Sequence, residues 1–444
     1  MKQQLGQEAI YDARQLGVPR MLVLGLQHLF AMFGATVLVP ILVQNYGLPL
    51  SIQTTLLMAG LGTLLFHVCT KMKVPAFLGS SFAYLSGFEM VAKLPAYEGL
   101  DPQVKLSYAL GGIVVAGALY LVLAVLFKLV GAKKVMRFFP PIVTGPMIIM
   151  IGLNLAGSAV QNFMAKPWLA MVAIAIIVVA NIWGKGMLKI IPILLGVVGS
   201  YIVALLTNNV DFTAVHEAQM IGLQPFTMAK FDISAILVMA PIAIAAMMEH
   251  IGDISAISST TERNFIEDPG LHRTLMGDGL ATAFAAALGG PANTTYGENT
   301  GVLALSKVYD PKVIRLAAIY AIILSFSPKF AALVNSIPVA IVGGVSFILY
   351  GMISAVGVRN IVENRVDLTQ SRNLIIAAVM FVSGLGFSSV GGVTFTVGST
   401  AVTLSGLAIA AICGVALNAI LPGNDYEFGS ISADADSSAN LGSY

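Results

Sequence analysis

Long apolar runs separated by short polar punctuation fill the chain from residue 19 to residue 421. Runs of helical length lie at 19–43, 51–70, 109–131, 136–160, 167–184, 188–207, 232–253, 273–290, 312–335, 337–358, 372–389 and 400–421. Most approach the roughly 20 residues that a helix needs to cross about 30 Å of hydrocarbon. Two further apolar stretches, 74–92 and 291–306, are too broken for a plain helix. Each opens on Pro-Ala (Pro75-Ala76 and Pro291-Ala292) and carries glycine and hydroxyl residues. Counting both, the pattern predicts fourteen crossings. Polar residues 1–18 precede the first run without a small-residue cleavage pattern, so no cleaved signal peptide is expected.

Composition removes the soluble alternatives. Of the 444 residues 57% are AVILMFWYC and only 10% are charged, against about 25% charged in soluble domains. A net charge of +2 offers nucleic acid no electrostatic handle. Cys69 and Cys413 both sit in apolar runs, which excludes a disulfide framework and a cysteine zinc cluster. The lysines and arginines then orient the chain. With fourteen crossings and the N-terminus inside, nineteen of the twenty-four fall on inner segments; Lys93, Lys105, Lys166, Lys230 and Lys329 fall outside. That bias favours cytoplasmic N- and C-termini.

The chain also resembles itself. Gln27-His28 in the first run pairs with Glu249-His250 in the eighth, and Ser80-Ser81-Phe82-Ala83 with Thr294-Thr295-Tyr296-Gly297. Pro140, Gly145, Gly152 and Ala156 likewise match Pro338, Gly343, Gly351 and Ala355. Seven crossings followed by seven more place the second copy upside down, the inverted repeat of secondary transporters, whose sites lie where discontinuous helices meet.

Irregular backbone at membrane depth survives only where protein buries it or it lines a cavity. Segments 74–92 and 291–306 are therefore expected to hold a short extended stretch and then a half-helix, with free amides at the turns facing electron-rich atoms. Simple close packing around glycine is the competing explanation. Glu249 and Glu298 stand in these apolar surroundings, each costing about 2.5–3.5 kcal/mol at a helix centre. Asp253 lies one turn beyond Glu249, and Asp278 lies in the ninth crossing. With no lysine or arginine in these segments, the acids read as ligand acceptors or proton carriers. Asp253 reads equally as a solvated helix end, and His28 as a structural donor. Phe82 and Tyr296 fit either core filling or aromatic walls for a flat ligand. No His-Glu-x-x-His, phosphate loop or Gly-x-Ser-x-Gly points to an enzyme, and no cofactor or metal site is implied.

The motifs Gln27-His28-Leu29-Phe30-Ala31-Met32-Phe33-Gly34-Ala35-Thr36, Gly79-Ser80-Ser81-Phe82-Ala83, Glu249-His250, Asp268-Pro269-Gly270-Leu271-His272-Arg273 and Asn293-Thr294-Thr295-Tyr296-Gly297-Glu298-Asn299 resemble the nucleobase–ascorbate (nucleobase:cation symporter-2) family, and within it the bacterial uracil permeases. The similarity runs to about residue 421. It implies an all-α polytopic membrane protein with fourteen segments in a seven-plus-seven inverted repeat, and two short β-strands with half-helices in segments 3 and 10. It also implies a core domain (15–131 and 232–335) and a gate domain (136–207 and 337–421) through which two copies dimerise. Beyond it, Gly423–Tyr444, rich in Ser, Ala, Gly and Asp, reads as a disordered cytoplasmic tail. The location implied is the bacterial cytoplasmic membrane.

Carried over by position, substrate binding falls on Glu249, Glu298, Phe82, Gly297, Tyr296 and Ala35. Proton coupling or support of the site falls on His28, Asp253, Asp278 and Asn299. One departure stands out: the family's uracil permeases carry histidine where this chain has Asp253. The expected activity is uracil import coupled to protons, with the core sliding against the gate. Another nucleobase (thymine, xanthine or urate), a passive channel and a membrane-embedded enzyme are the alternatives; purine members usually carry Ala-Gln-Asn where this chain has Gly297-Glu298-Asn299.

Overall fold

The computed structural model describes residues 9–397 and 400–423; from 424 onward the expected tail lies outside them. Helix α1 (Val18–Asn45) starts on a proline just after Gly17, and α2 (Ile52–Cys69) is capped by the Ser51 hydroxyl, which accepts from the Thr54 N–H. The first broken segment holds strand β1 (Leu78–Ser80) and the short helix α3 (Leu85–Ala92). Helix α4 (Pro102–Val130), capped by Asp101, has 29 residues and so runs about 43 Å. The chain continues through α5 (Pro141–Asn154), α6 (Ala156–Met164), α7 (Pro167–Trp183) and α8 (Pro192–Leu206).

Helices α9 (Ile233–Met239) and α10 (Ile242–Thr261) are divided at Pro241, and α11 (Leu271–Ala287) follows. The second broken segment holds β2 (Asn293–Thr295) and α12 (Gly297–Ser306). Then come α13 (Pro311–Ser325), α14 (Pro328–Asn335), α15 (Val339–Glu363) and α16 (Ser371–Ser389). A hairpin of β3 (Val393–Val397) and β4 (Thr400–Leu404) leads into the last helix, α17 (Gly406–Ile420).

Seven helical stretches among the described residues are long and apolar enough to cross a membrane, and an eighth if α13 and α14, bent by 90°, count as one. α7, α8 and α17 are apolar but only 15–17 residues long. Helices α4 and α16 expose apolar side chains at helical spacing, among them Val122, Val125 and Leu129 on one and Ile375, Val379 and Val382 on the other. Such stripes are tolerable only against lipid or another apolar surface.

Three boundaries differ from the apolar pattern. The run 400–421 does not begin as helix: Thr400–Leu404 pairs antiparallel with Val393–Val397. Alternating β-branched residues on both sides of Gly398-Ser399 favour a hairpin over a helix there. The run 312–335 breaks ahead of Pro328, and the run 232–253 breaks at Pro241 but then continues to Thr261, because proline cannot donate to the preceding turn.

Packing gathers the elements around the two strands. α11 lies against α4 and α2, and α13 against α2 and α1. α15 lies against α5, α6 and α7, and α16 against α17 and α5. Helices α4 and α11 cross closely. A Cβ at Gly117 would stand 2.7 Å from the Gly279 carbonyl oxygen, and one at Gly279 would stand 2.4 Å from Tyr120 Cβ. Gly279→Val is therefore expected to lose about 1–3 kcal/mol, read as a lower unfolding midpoint of the detergent-solubilised protein. An unchanged midpoint would contradict this crossing.

Candidate functional site: a cavity at two paired chain breaks

The two breaks find each other. β1 and β2 run antiparallel with Leu78 opposite Thr295, Gly79 opposite Thr294 and Ser80 opposite Asn293. The ladder extends by one bond at each end: the Tyr296 N–H donates to the Phe77 carbonyl at 3.0 Å, and the Ser81 N–H to the Ala292 carbonyl at 2.9 Å. A two-stranded ribbon still leaves outer edges that lipid cannot satisfy. Matched threonines close them. Thr63 of α2 accepts from the Leu78 N–H (2.9 Å), and its one hydroxyl hydrogen is shared between the Ala59 carbonyl (2.8 Å) and the Leu78 carbonyl (3.2 Å). Thr282 of α11 accepts from the Asn293 N–H (3.2 Å) and donates to the Asn293 carbonyl (3.0 Å).

Gly79 has a steric reason. A Cβ there would stand 2.3 Å from the Tyr296 ring, which lies over the strand and donates its hydroxyl to the Ser80 carbonyl at 2.9 Å. Phe82 packs edge-on to Tyr350 of α15, centroids 5.9 Å apart and planes at 74°.

Beside the ribbon lies a cavity of about 410 Å³. Phe82, Glu249, Asp253, Tyr296, Gly297 and Glu298 all line it, so six of the ten expected site residues meet in one place. Thr294 and Thr295 join them; Ile148 of α5 and Leu349, Met352 and Ile353 of α15 supply apolar wall. Glu249 keeps a buried carboxylate oxygen, Oε2, without a protein partner, an acceptor waiting for a donor. Asp253 is no solvated helix end. It sits inside α10, where the Thr295 hydroxyl donates to its Oδ2 at 2.9 Å, tying the helix to β2. Gly297 opens α12, so its N–H has no acceptor within the helix. Glu298 in that first turn faces the positive end of the helix dipole.

The other four lie behind the wall. Asn299 donates from Nδ2 to the His28 carbonyl at 3.0 Å and contacts His28 Nδ1 at 3.2 Å, both residues being buried. Asp278 faces His250 rather than the cavity. Ala35 is fully buried and off the cavity wall, whereas Ala31 lines the cavity. The two alanines share a face of α1, but one turn of about 5.4 Å separates them along the axis.

Sequence reading missed three participants. Thr295 as the partner of Asp253 depends on strand register. Arg359 of α15 and Lys189 from the turn before α8 line the same cavity, although the broken segments themselves contain no cation. Both come from distant parts of the chain, and no local pattern announces them.

A membrane protein with its polar cavity at two interrupted, mutually paired segments has the makings of a transporter. Residues 19–393 match the family described as the Permease family. The chain belongs to it, and to the nucleobase–ascorbate transporters that its motifs resemble; it is a transporter and not an enzyme. It is 43% identical over 421 residues to the uracil permease of Bacillus caldolyticus, covering 91% of this chain and 93% of that one. It is 39% identical to the putative pyrimidine permease RutG of Escherichia coli (strain K12), over 90% of this chain and 89% of that one. Among solved structures, the transmembrane domain of the cyanobacterial bicarbonate transporter BicA shares the fold at TM-score 0.56 and 15% identity, covering 78% of this chain and 95% of that domain.

The threonine caps can be tested directly. Thr63→Val and Thr282→Val each leave a buried strand N–H and C=O unpaired, at about 1–3 kcal/mol. Each is expected to lower the unfolding midpoint, with Ser at either position recovering most of it. Equal midpoints for Val and wild type would contradict the capping role.

Proposed function

We propose that this chain imports uracil across the bacterial cytoplasmic membrane by proton symport, with fourteen membrane segments in two inverted sevens and both termini in the cytoplasm. The observation that carries this reading is the meeting of Glu249 and Glu298 in one cavity at the paired breaks. Uracil is a flat neutral ring with two N–H donors and two carbonyl acceptors. The glutamates take the N–H groups, the main-chain amides of Phe82 and Gly297 meet the carbonyl oxygens, and Phe82 and Tyr296 pack on the ring. An acceptor left unmatched in such a site is costly, which is how near-isosteres are rejected.

In this account Glu249 is ionised to accept from the ring. A proton taken up from outside rides with uracil on the neighbouring acid Asp253 and is released with it to the cytoplasm before the empty carrier returns, so one proton accompanies each uracil. Asp253, in place of the histidine of related permeases, relays that proton, with Asp278, His28 and Asn299 supporting the site. The unit that carries substrate comprises 15–131 and 232–335, and moves as an elevator against 136–207 and 337–421. Those gate segments form the contact of a homodimer. The name of the Escherichia coli relative favours a second reading in which other pyrimidines, thymine among them, are also carried.

Glu249→Gln is expected to reduce uracil binding ten- to hundredfold, the loss of a charged acceptor, and to stop uptake into proteoliposomes. Glu298→Gln should weaken binding with little change in unfolding midpoint. Wild-type uptake in either variant would remove that residue from the site. In the wild type, collapsing the pH gradient should abolish accumulation; accumulation that follows a sodium gradient instead would refute proton coupling. Competition by thymine but not by xanthine or uric acid would favour the broader pyrimidine range.

A further inference from the structure

His250 has no part in the site described so far, yet it occupies one of the most protected polar positions in the chain. It follows Glu249 on α10 and is fully buried. Its Nδ1 stands 3.0 Å from Oδ2 of Asp278 on α11, which is also fully buried. Apart from this contact, neither the imidazole nitrogens nor the carboxylate oxygens have a protein hydrogen-bond partner, and the hydroxyls of Tyr84 and Tyr120 lie within hydrogen-bonding reach of each other. Both tyrosines lie within electrostatic reach of Asp278 and Glu249. The Phe66 ring stands edge-on to the imidazole at 6.2 Å and closes that side.

Two physical constraints meet here. Successive helix residues point about 100° apart, so the rotation of α10 that aims His250 at α11 is the one that turns Glu249 to the cavity. An uncompensated charge at this depth is prohibitive, whereas a paired one is tolerable. Asp278 and His250 together balance if one proton is shared between them, and removing either partner strands the other. We propose that His250, through its pair with Asp278, is a positioning residue for transport: it locks the rotation that presents Glu249 to substrate and keeps the acid behind it electrically neutral.

Among the described residues, the titratable groups on the elements around the pair include Glu249 and Asp253 on α10, His67 and Cys69 on α2, Tyr120 on α4, Tyr84 ahead of α3, and Glu298 on α12. α5 and α9 contribute none, and α17 contributes only Cys413. A change of charge at His250 or Asp278 is therefore felt by Glu249, which adjoins His250 on α10, as well as by Asp253 and the two tyrosines.

This inference rests on uracil as the substrate, and its test separates the two. Labelled uracil binding is measured against pH on purified full-length His250→Gln, Asp278→Asn and the double variant, with unfolding midpoints recorded alongside. Each single variant strands one partner and is expected to weaken binding at least about tenfold at pH 7, moving the pH midpoint by about one unit. The double variant replaces the pair with a neutral amide pair of similar shape and should recover most of both, a non-additive cycle. If a single variant fails to fold, the double variant should restore folding. A wild-type pH profile in His250→Gln, additive losses in the cycle, or no rescue by the double variant would overturn the pairing role. Wild-type protein that binds no uracil would contradict the substrate instead, and the pair would then be judged from rescue of folding alone.

Discussion

A peptide group in hydrocarbon has no water to fall back on, and the fold is arranged around that fact. Two stretches of this chain leave helical geometry at membrane depth, at Leu78–Ser80 and Asn293–Thr295, and each solves the other's problem by pairing with it. The outer edges of that short ribbon are closed by Thr63 and Thr282, which occupy equivalent places on the helices before each strand. Once the backbone is satisfied there, the ribbon can end among apolar helices, with Phe82 beyond one strand and the first turn of α12 beyond the other facing the same cavity. The glycines around it, Gly79 under Tyr296 and Gly279 against Tyr120, allow the close approach that this arrangement demands.

Charge follows from geometry. A carboxylate is expensive in lipid, but Glu249, Asp253 and Glu298 gather on one cavity wall, where a ligand and the neighbouring hydroxyls can meet them. Thr295 holds Asp253 to the ribbon, so a displacement of α10 is transmitted to the strand pair. Arg359 and Lys189 bring positive charge to the same cavity from elsewhere in the sequence. The site is thus acidic at the breaks without being uniformly so.

Much of this was legible in the order of residues. Pro-Ala followed by glycine and hydroxyl residues marked both interruptions, because together they disfavour continuous helix more than a lone proline or glycine does. Acidic residues in apolar runs marked the cavity, because lipid tolerates few of them. The strand pair 393–397 and 400–404 was missed because the apolar length of the run drew the helical reading, although its β-branched alternation points to strands. Ala31, one turn from Ala35 on α1, is the alanine that lines the cavity, a difference that a motif does not encode. Arg359, Lys189 and the His250–Asp278 contact depend on which helix faces are turned together, and that is decided by packing across the whole chain.

The central claim is that the acids beside the paired breaks grip the transported ring. Carbodiimide labelling of carboxyl groups, mapped by mass spectrometry on the purified protein with and without saturating uracil, tests it most directly. Uracil is predicted to protect Glu249 and Glu298 while leaving exposed acids such as Glu267 equally reactive; labelling of both glutamates that uracil leaves unchanged would contradict it.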